Sequence, residues 1–203
     1  MLRFRSYTQI SSKMKLFILT LLTITTTHLK AQTGLAIGDT VKQFTAKTHN
    51  GHLLDLKQTT DSNDVVVIFY RGYWCPFCQR HISTLQDSLE HILDSNARVV
   101  LISPENYRAV NTTLKQTKTT IDIISDTTHS IGEIFKVNKN STPTYKPNYG
   151  TQRGGISKQS FSPYANLPIP ACYIITKNNV VKWRYFNKDY RHRVSIRQIL
   201  ENL

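Results

Sequence analysis

The sequence predicts a mixed α/β domain, one sheet with helices on both faces, and three observations carry that expectation. Val65 to Tyr70 places six β-branched or aromatic residues in a row, and Arg98-Val-Val-Leu-Ile-Ser103 repeats the pattern, so both read as buried strands. Segments with apolar residues at helical spacing lie between and after them. The chain then ends in two short apolar runs, Cys172–Thr176 and Val180–Tyr185, joined by Lys177-Asn-Asn179, which reads as an antiparallel hairpin before a last helix.

The elements follow in order. Phe44–Thr48 and Leu53–Leu56 flank Asn50-Gly51, a strong hairpin signal because both turn residues tolerate positive φ. After the Val65–Tyr70 strand, Gln79 to Leu93 predicts a single helix, with Ile82, Leu85, Leu89 and Leu93 on one face. Beyond the second strand, Pro104 and Glu105 open a helix running towards Gln116. Ile121–Ile124 is a short strand, Ser130–Phe135 a short helix, and Val194–Leu203 the closing helix. No internal repeat is present. Residues 137–167 are rich in Thr, Pro, Tyr, Lys, Asn and Gly without a period, a loop of a length found in binding loops and lids and equally in tolerated surface insertions.

The 203 residues carry a formal charge of +13. Met14-Lys-Leu-Phe-Ile-Leu-Thr-Leu-Leu-Thr-Ile24 follows Lys13 and precedes Ala31. A basic stretch, a short apolar core and a small residue are the parts of an export signal over residues 1–31, with an uncleaved anchor as the alternative. The apolar run is short for a membrane span, so no stable span is expected in the mature chain, and a periplasmic location is expected. Removing 1–31 leaves 21 basic against 13 acidic residues, a net +8 without an arginine-rich arm, which gives no reason to expect nucleic acid as a partner. The remainder is one domain's worth of chain.

The chemistry concentrates in Phe69-Tyr-Arg-Gly-Tyr-Trp-Cys-Pro-Phe-Cys78. A strand that turns directly into a helix leaves Cys75 and Cys78 at the helix N-terminus. Unpaired N–H groups and the positive end of the macrodipole there favour the thiolate, the reactive form of cysteine. The spacing lets the sulfurs form a disulfide. The first cysteine of such a pair is expected to be the more exposed and the more acidic, the second to attack what forms on the first. Pro76 suits the first helical turn, Trp74 and Tyr73 supply a flat apolar surface, and Arg71 brings a permanent cation.

Three cysteines fit one working dithiol plus a buried thiol, Cys172, better than a disulfide framework. Zinc would need Cys75, Cys78, His81 and Cys172 without the usual second ligand pair, so no metal is expected, and His81 reads as a solvent-facing helix residue. Covalent haem fails because position 79 is Gln. Asp189, Arg191 and Arg193 read as a surface ion-pair cluster, with a place near the cleft as the alternative.

These residues resemble the thioredoxin-fold superfamily, and within it the alkyl hydroperoxide reductase/thiol-specific antioxidant branch, the peroxiredoxin-like proteins. The dithiol segment carries one match. Leu167-Pro-Ile-Pro-Ala-Cys-Tyr-Ile-Ile175 and Trp183-Arg-Tyr-Phe-Asn-Lys-Asp-Tyr-Arg191 carry the other, and the likeness spans residues 35–203. It implies a thioredoxin-like fold with an N-terminal hairpin and no cofactor. The implied activity is a peroxidase acting on hydrogen peroxide or organic hydroperoxides, regenerated by a thioredoxin-like protein or a small thiol. It also places Pro170 where the superfamily has a cis-proline facing the dithiol, whereas composition alone favours an ordinary trans proline before a strand. Two departures stand out. In the register of the peroxiredoxin motif Pro-x-x-x-Thr-x-x-Cys, Arg71 falls at the Pro, Cys75 at the Thr and Cys78 at the peroxide-attacking Cys, whereas the thioredoxin-like reading puts the attack on Cys75. The family's second active-site arginine has no counterpart in register, since Pro170 lies near its place. A thiol–disulfide oxidoreductase without a peroxide step remains the second reading. A third is a binding protein using the 137–167 loop. The oligomeric state is not specified.

Overall fold

Strand Asp64–Phe69 (β3) is the axis of the protein, because it is the middle strand of the five-stranded sheet and feeds a core on each face. The computed structural model describes residues 34–138 and 167–203, which belong to one compact unit, Gln32–Leu203. The expected export signal and nearly all of the 137–167 loop lie outside the described residues. Ahead of β3, Thr45–Lys47 (β1) and Leu53–Asp55 (β2) form the expected antiparallel hairpin, with Gly51 at φ +87° in its turn. A short helix, Leu56–Thr60 (α1), leads into β3.

After β3 come helices Pro76–Asp87 (α2) and Leu89–Asp94 (α3), strand Ala97–Ser103 (β4), helix Tyr107–Thr117 (α4), strand Asp122–Ser125 (β5) and helix Ser130–Ile134 (α5). Strands Ala171–Thr176 (β6) and Val180–Phe186 (β7) and helix Ile196–Leu200 (α6) complete the chain. The five-stranded sheet has the order β5-β4-β3-β6-β7. β3, β4 and β5 are parallel, joined by helical crossovers, while β6 and β7 run antiparallel to their neighbours. This is the expected mixed sheet of a thioredoxin-like fold with an N-terminal hairpin.

A strand covered on both faces reads as a continuous apolar run, and Val65 to Phe69 are each at most 2% exposed. Alternate residues feed two separate cores. Val65, Val67 and Phe69 pack with Leu54, Leu56, Phe135 and Tyr173 on one face. There the Phe135 ring meets Phe69 edge-on at 5.1 Å. Val66, Ile68 and Tyr70 pack with Ile82, Leu85, Leu101 and Ile199 on the other, and Cys75, Cys78 and Cys172 belong to this second core.

Two helices differ from expectation. The single helix over 79–93 starts three residues earlier, at Pro76, and breaks at Ser88, whose φ −115° and ψ 10° leave the helical region. The break rotates the following turn, so Ile92 is buried and Leu93 is 48% exposed. The helix expected to open at Pro104 opens instead at Tyr107, because the Asn106 side chain accepts the Ala109 N–H at 3.1 Å and caps it there. Glu105 is left in the turn and wholly buried.

The two ends of the long loop are tied together, with Ile169 N–H donating to the Val137 carbonyl at 2.8 Å beside an Asn138–Pro168 bridge. No helix among the described residues is long and apolar enough to cross a membrane. α6 is held by a reciprocal cap: Ser195 Oγ accepts the Gln198 N–H, and Gln198 Oε1 accepts the Ser195 N–H at 3.1 Å. Replacing Ser195 by Ala should therefore cost about 1 kcal/mol of stability, read as an earlier midpoint in chemical denaturation with unchanged cooperativity.

Candidate dithiol site

The site is made by the way β3 hands over to α2. Residues 71–74 form a tight turn in which Gly72 has φ +149°. A Cβ on Gly72 would lie 2.5 Å from Trp74 Nε1 and 2.7 Å from Glu105 Oε1, so only glycine fits. The turn is pinned from below, where Glu105 Oε1 accepts the Tyr73 N–H at 2.8 Å, and from the side, where Gln79 Nε2 donates to the Tyr73 carbonyl at 2.8 Å. Cys75 is the N-cap of α2 and Pro76 follows in its first turn. Cys78 lies three residues on, on the face turned to the core.

Both cysteines are free thiols, and both are buried, Cys75 at 1% exposure and Cys78 at 0%. The second core, closed by Trp74 and Phe77, extends over the helix start and covers both sulfurs, Cys78 the more completely. The two thiols nevertheless differ in character. The Cys78 thiol hydrogen-bonds to Cys75, and Arg193 and Arg71 add positive charge, which together lower the Cys75 pKa to about 6. Burial, and the charge that Cys75 carries, push the Cys78 thiol up.

The cation nearest the sulfurs is Arg193. Its Nη2 donates to Cys78 Sγ at 3.2 Å and lies 3.9 Å from Cys75 Sγ. This corrects the reading of Arg193 as part of a surface cluster. Asp189 does pair at the surface, with Arg191 at 2.8 Å and His192 at 3.2 Å. That arrangement uses up the local carboxylate, and Arg193 turns inward to the thiols. Arg71 is held between two rings, its guanidinium carbon 4.8 Å from the Trp74 centroid and 4.3 Å from that of Tyr190. It braces the turn and adds less charge at Cys75 than Arg193 does.

Pro170 stands at the head of β6 beside the site, but no cis peptide occurs among the described residues, so the expected cis-proline is trans. The reason lies in its neighbours. Ile169 N–H bonds to Val137 and the Pro170 carbonyl accepts the Asn187 N–H at 3.4 Å, which keeps this stretch extended into the sheet. Cys172 lies opposite Ile68 in the sheet interior, and burial raises its pKa, as befits an inert core thiol.

His81 does not face solvent. Its Nε2 is enclosed, and burial, with the Arg193 charge second, lowers its pKa to about 4. Glu105 is the other group that local pattern did not mark. Burial raises its pKa to about 7, against the pull of hydrogen bonds led by that from Tyr73 N–H. The only sequence signal for Arg193 was the return of the chain to the core at Val194, which is 3% exposed. Among the described residues no cluster of His, Cys, Asp or Glu is arranged to hold a metal ion.

Residues 37–184 match the model of the AhpC/TSA family. No curated protein matches the chain. Among solved structures, the peroxidoxin BcpB from Mycobacterium tuberculosis superposes with a TM-score of 0.61 at 18% identity, covering 83% of this chain and 96% of its own. PrxQ from Xylella fastidiosa gives 0.63 at 15% identity, covering 82% and 94%. The yeast mitochondrial 1-Cys peroxiredoxin gives 0.65 at 12%, covering 82% and 73%.

Two outcomes follow from this geometry. Arg193→Met should raise the Cys75 pKa by about one unit, seen as a shift in the ultraviolet absorbance of the thiolate with pH, while Arg193→Lys should recover part of the difference. Glu105 has a folded-state pKa raised from 4.5 to about 7, so its contribution to stability is full below pH 4.5 and is lost as pH rises through 7. Glu105→Gln should remove that loss, gaining on the order of 2 to 3 kcal/mol at pH 8 relative to pH 4.5, measured by denaturant unfolding at the two pH values.

Proposed function

The chain belongs to the AhpC/TSA family, and on that premise we propose that it is a thiol peroxidase of the peroxiredoxin type that works through the Cys75/Cys78 dithiol. The observation that carries the reading is the pairing of one acidic and one buried thiol under a single guanidinium.

The Cys75 thiolate attacks the near oxygen of hydrogen peroxide or an organic hydroperoxide and breaks the O–O bond. Cys75 becomes a sulfenic acid, and the departing hydroxide or alkoxide takes a proton to leave as water or alcohol. Arg193 lies where negative charge passes from sulfur to oxygen and can stabilise it in both places. Cys78 then attacks the Cys75 sulfur, the S–O bond breaks, and water leaves with formation of the disulfide. A thioredoxin-like protein or a small thiol returns the pair to dithiol by exchange. Assignment of the attack to Cys75 rather than Cys78 follows the N-cap position, the low pKa and the deeper burial of Cys78. Residues 1–31 serve as an export signal in this proposal, placing the reaction outside the cytoplasm.

A thiol–disulfide oxidoreductase with no peroxide step is the second reading. It keeps the Cys-x-x-Cys pair but loses its other support, since Pro170 is trans.

Stopped-flow tryptophan fluorescence of the reduced protein with hydrogen peroxide tests the proposal on wild type, Cys75→Ser and Cys78→Ser. Fast oxidation should persist in Cys78→Ser, which stops at the sulfenic acid, and vanish in Cys75→Ser. The reverse pattern would move the attack to Cys78. A wild type no faster than free cysteine would remove the peroxidase and leave the exchange reaction. The reaction should also be pH-dependent, falling roughly tenfold per unit below the Cys75 pKa of about 6.

A further inference from the structure

Residues 187–195 form a strap between β7 and α6, and the peroxide reaction uses only Arg193 from it. Both ends of the strap are fixed. Asn187 N–H donates to the Pro170 carbonyl at 3.4 Å, and beyond Arg193 the buried Val194 belongs to the second core. Between these anchors the chain turns back on itself. His192 N–H donates to the Asp189 carbonyl at 3.1 Å, and Asn187 Oδ1 accepts the Asp189 N–H at 2.9 Å. Tyr190 stands within this turn.

Tyr190 meets the dithiol segment on either side of Cys75. The centroid of its ring lies 4.3 Å from the guanidinium carbon of Arg71, ahead of Cys75 in the chain. Beyond Cys75, the Phe77 ring meets it edge-on at 5.8 Å. Arg193 of the same strap comes within 3.9 Å of Cys75 Sγ. The strap therefore touches the segment before Cys75, after it and at its sulfur, and Cys75 is left 1% exposed. Tyr190 itself is 43% exposed, so it is the outer layer of this cover.

The hold on Tyr190 is a cation–π contact and a ring pair near the surface, both weak beside the anchored ends of the strap. Such a clasp swings aside at little cost, but each opening must fit the molecule that enters. Hydrogen peroxide is hardly larger than water and needs only a small shift of the ring. A hydroperoxide on a branched or aromatic carbon needs the ring out of the way, with both contacts broken at once. We propose that Tyr190 sets the size of peroxide admitted to Cys75, passing hydrogen peroxide and holding back bulky organic hydroperoxides.

This inference rests on the peroxidase reading and names the substrate class within it. The chemistry is the same for both peroxides. The Cys75 thiolate takes the near oxygen, the O–O bond breaks, and the remainder takes up a proton and leaves as water or alcohol. Only access differs. The ratio of the two second-order rate constants isolates access, because the thiolate fraction cancels in it.

Stopped-flow fluorescence of the reduced protein with hydrogen peroxide and with cumene hydroperoxide gives that ratio, each constant divided by that of free cysteine. Wild type should favour hydrogen peroxide by roughly tenfold or more. Tyr190→Ala should cut the ratio by about fivefold or more, through a gain with cumene hydroperoxide. Tyr190→Phe keeps the ring over Arg71 and against Phe77 and should hold the wild-type ratio. Circular dichroism identifies any variant that does not fold. An even-handed wild type, a ratio untouched by Tyr190→Ala, or a fall owed wholly to a slower reaction with hydrogen peroxide would each overturn the proposal.

A second arm needs no peroxide. In Cys78→Ser, N-ethylmaleimide and fluorescein-5-maleimide add to Cys75 through the same carbon–carbon double bond, one carbon taking the sulfur and the other a proton from water. Measured against free cysteine, the larger reagent should lag by roughly tenfold with Tyr190 in place and recover most of that lag in Cys78→Ser with Tyr190→Ala. If neither peroxide outpaces its reaction with free cysteine while this lag is seen, the peroxidase reading falls and Tyr190 stands as the size filter for whatever Cys75 attacks. Equal labelling by both reagents would remove the filter whatever the peroxides do.

Discussion

The contact between Arg193 and the two sulfurs is the interaction on which the site depends. Buried thiols ordinarily stay protonated, because a thiolate removed from water has little to solvate it. Here the missing solvent around Cys75 is replaced first by the Cys78 thiol, then by the backbone of the helix start, and then by the Arg193 guanidinium. The guanidinium comes from the end of the chain, more than a hundred residues from the dithiol, so the site is complete only once β6 and β7 have docked on β3 and α6 has closed over them. Thiol reactivity is in this sense a property of the folded state.

The same dependence explains why the turn at residues 71–74 is so tightly specified. Gly72 leaves no space for a side chain, Glu105 holds the Tyr73 amide from beneath, and Arg71 is braced between Trp74 and Tyr190. These contacts fix where the sulfurs stand, so that a guanidinium arriving from elsewhere meets them at hydrogen-bonding distance. Glu105 is buried at some cost, and its raised pKa records that cost. The protonated carboxyl can sit in the core while the same atoms still accept the Tyr73 N–H.

Much of this was legible in the sequence, for reasons that can be traced to particular residues. Val65–Tyr70 and Arg98–Ser103 announce central strands because a strand covered on both faces has no polar side to show. Asn50-Gly51 announces its hairpin through turn chemistry, and Cys-Pro-Phe-Cys after a strand announces a thiol site at a helix start. What local pattern missed depends on non-local packing. Ser88 breaks a helix whose apolar spacing runs on without interruption. Asn106 captures a helix start that Pro104 also offers. Arg193 and Arg191 are the same residue type two positions apart. One pairs with Asp189 in water and the other solvates buried sulfur, and only the docked fold separates them. The peroxiredoxin-like register found no partner arginine because it looked at Pro170. A guanidinium does reach the sulfurs from a later point in the chain, that of Arg193.

The enclosure of both sulfurs carries a kinetic consequence for recycling. A folded reductant the size of a small protein touches neither Cys75 nor Cys78 until the start of α2 or the segment bearing Arg193 lifts away. In the proposed cycle, each turnover that uses such a donor includes a brief local opening, and its rate saturates at the frequency of that opening however much donor is supplied. Changes that tighten these two segments would make the protein harder to melt and slower to recharge. Heat resistance and recovery after oxidation thus draw on the same few contacts in opposite directions.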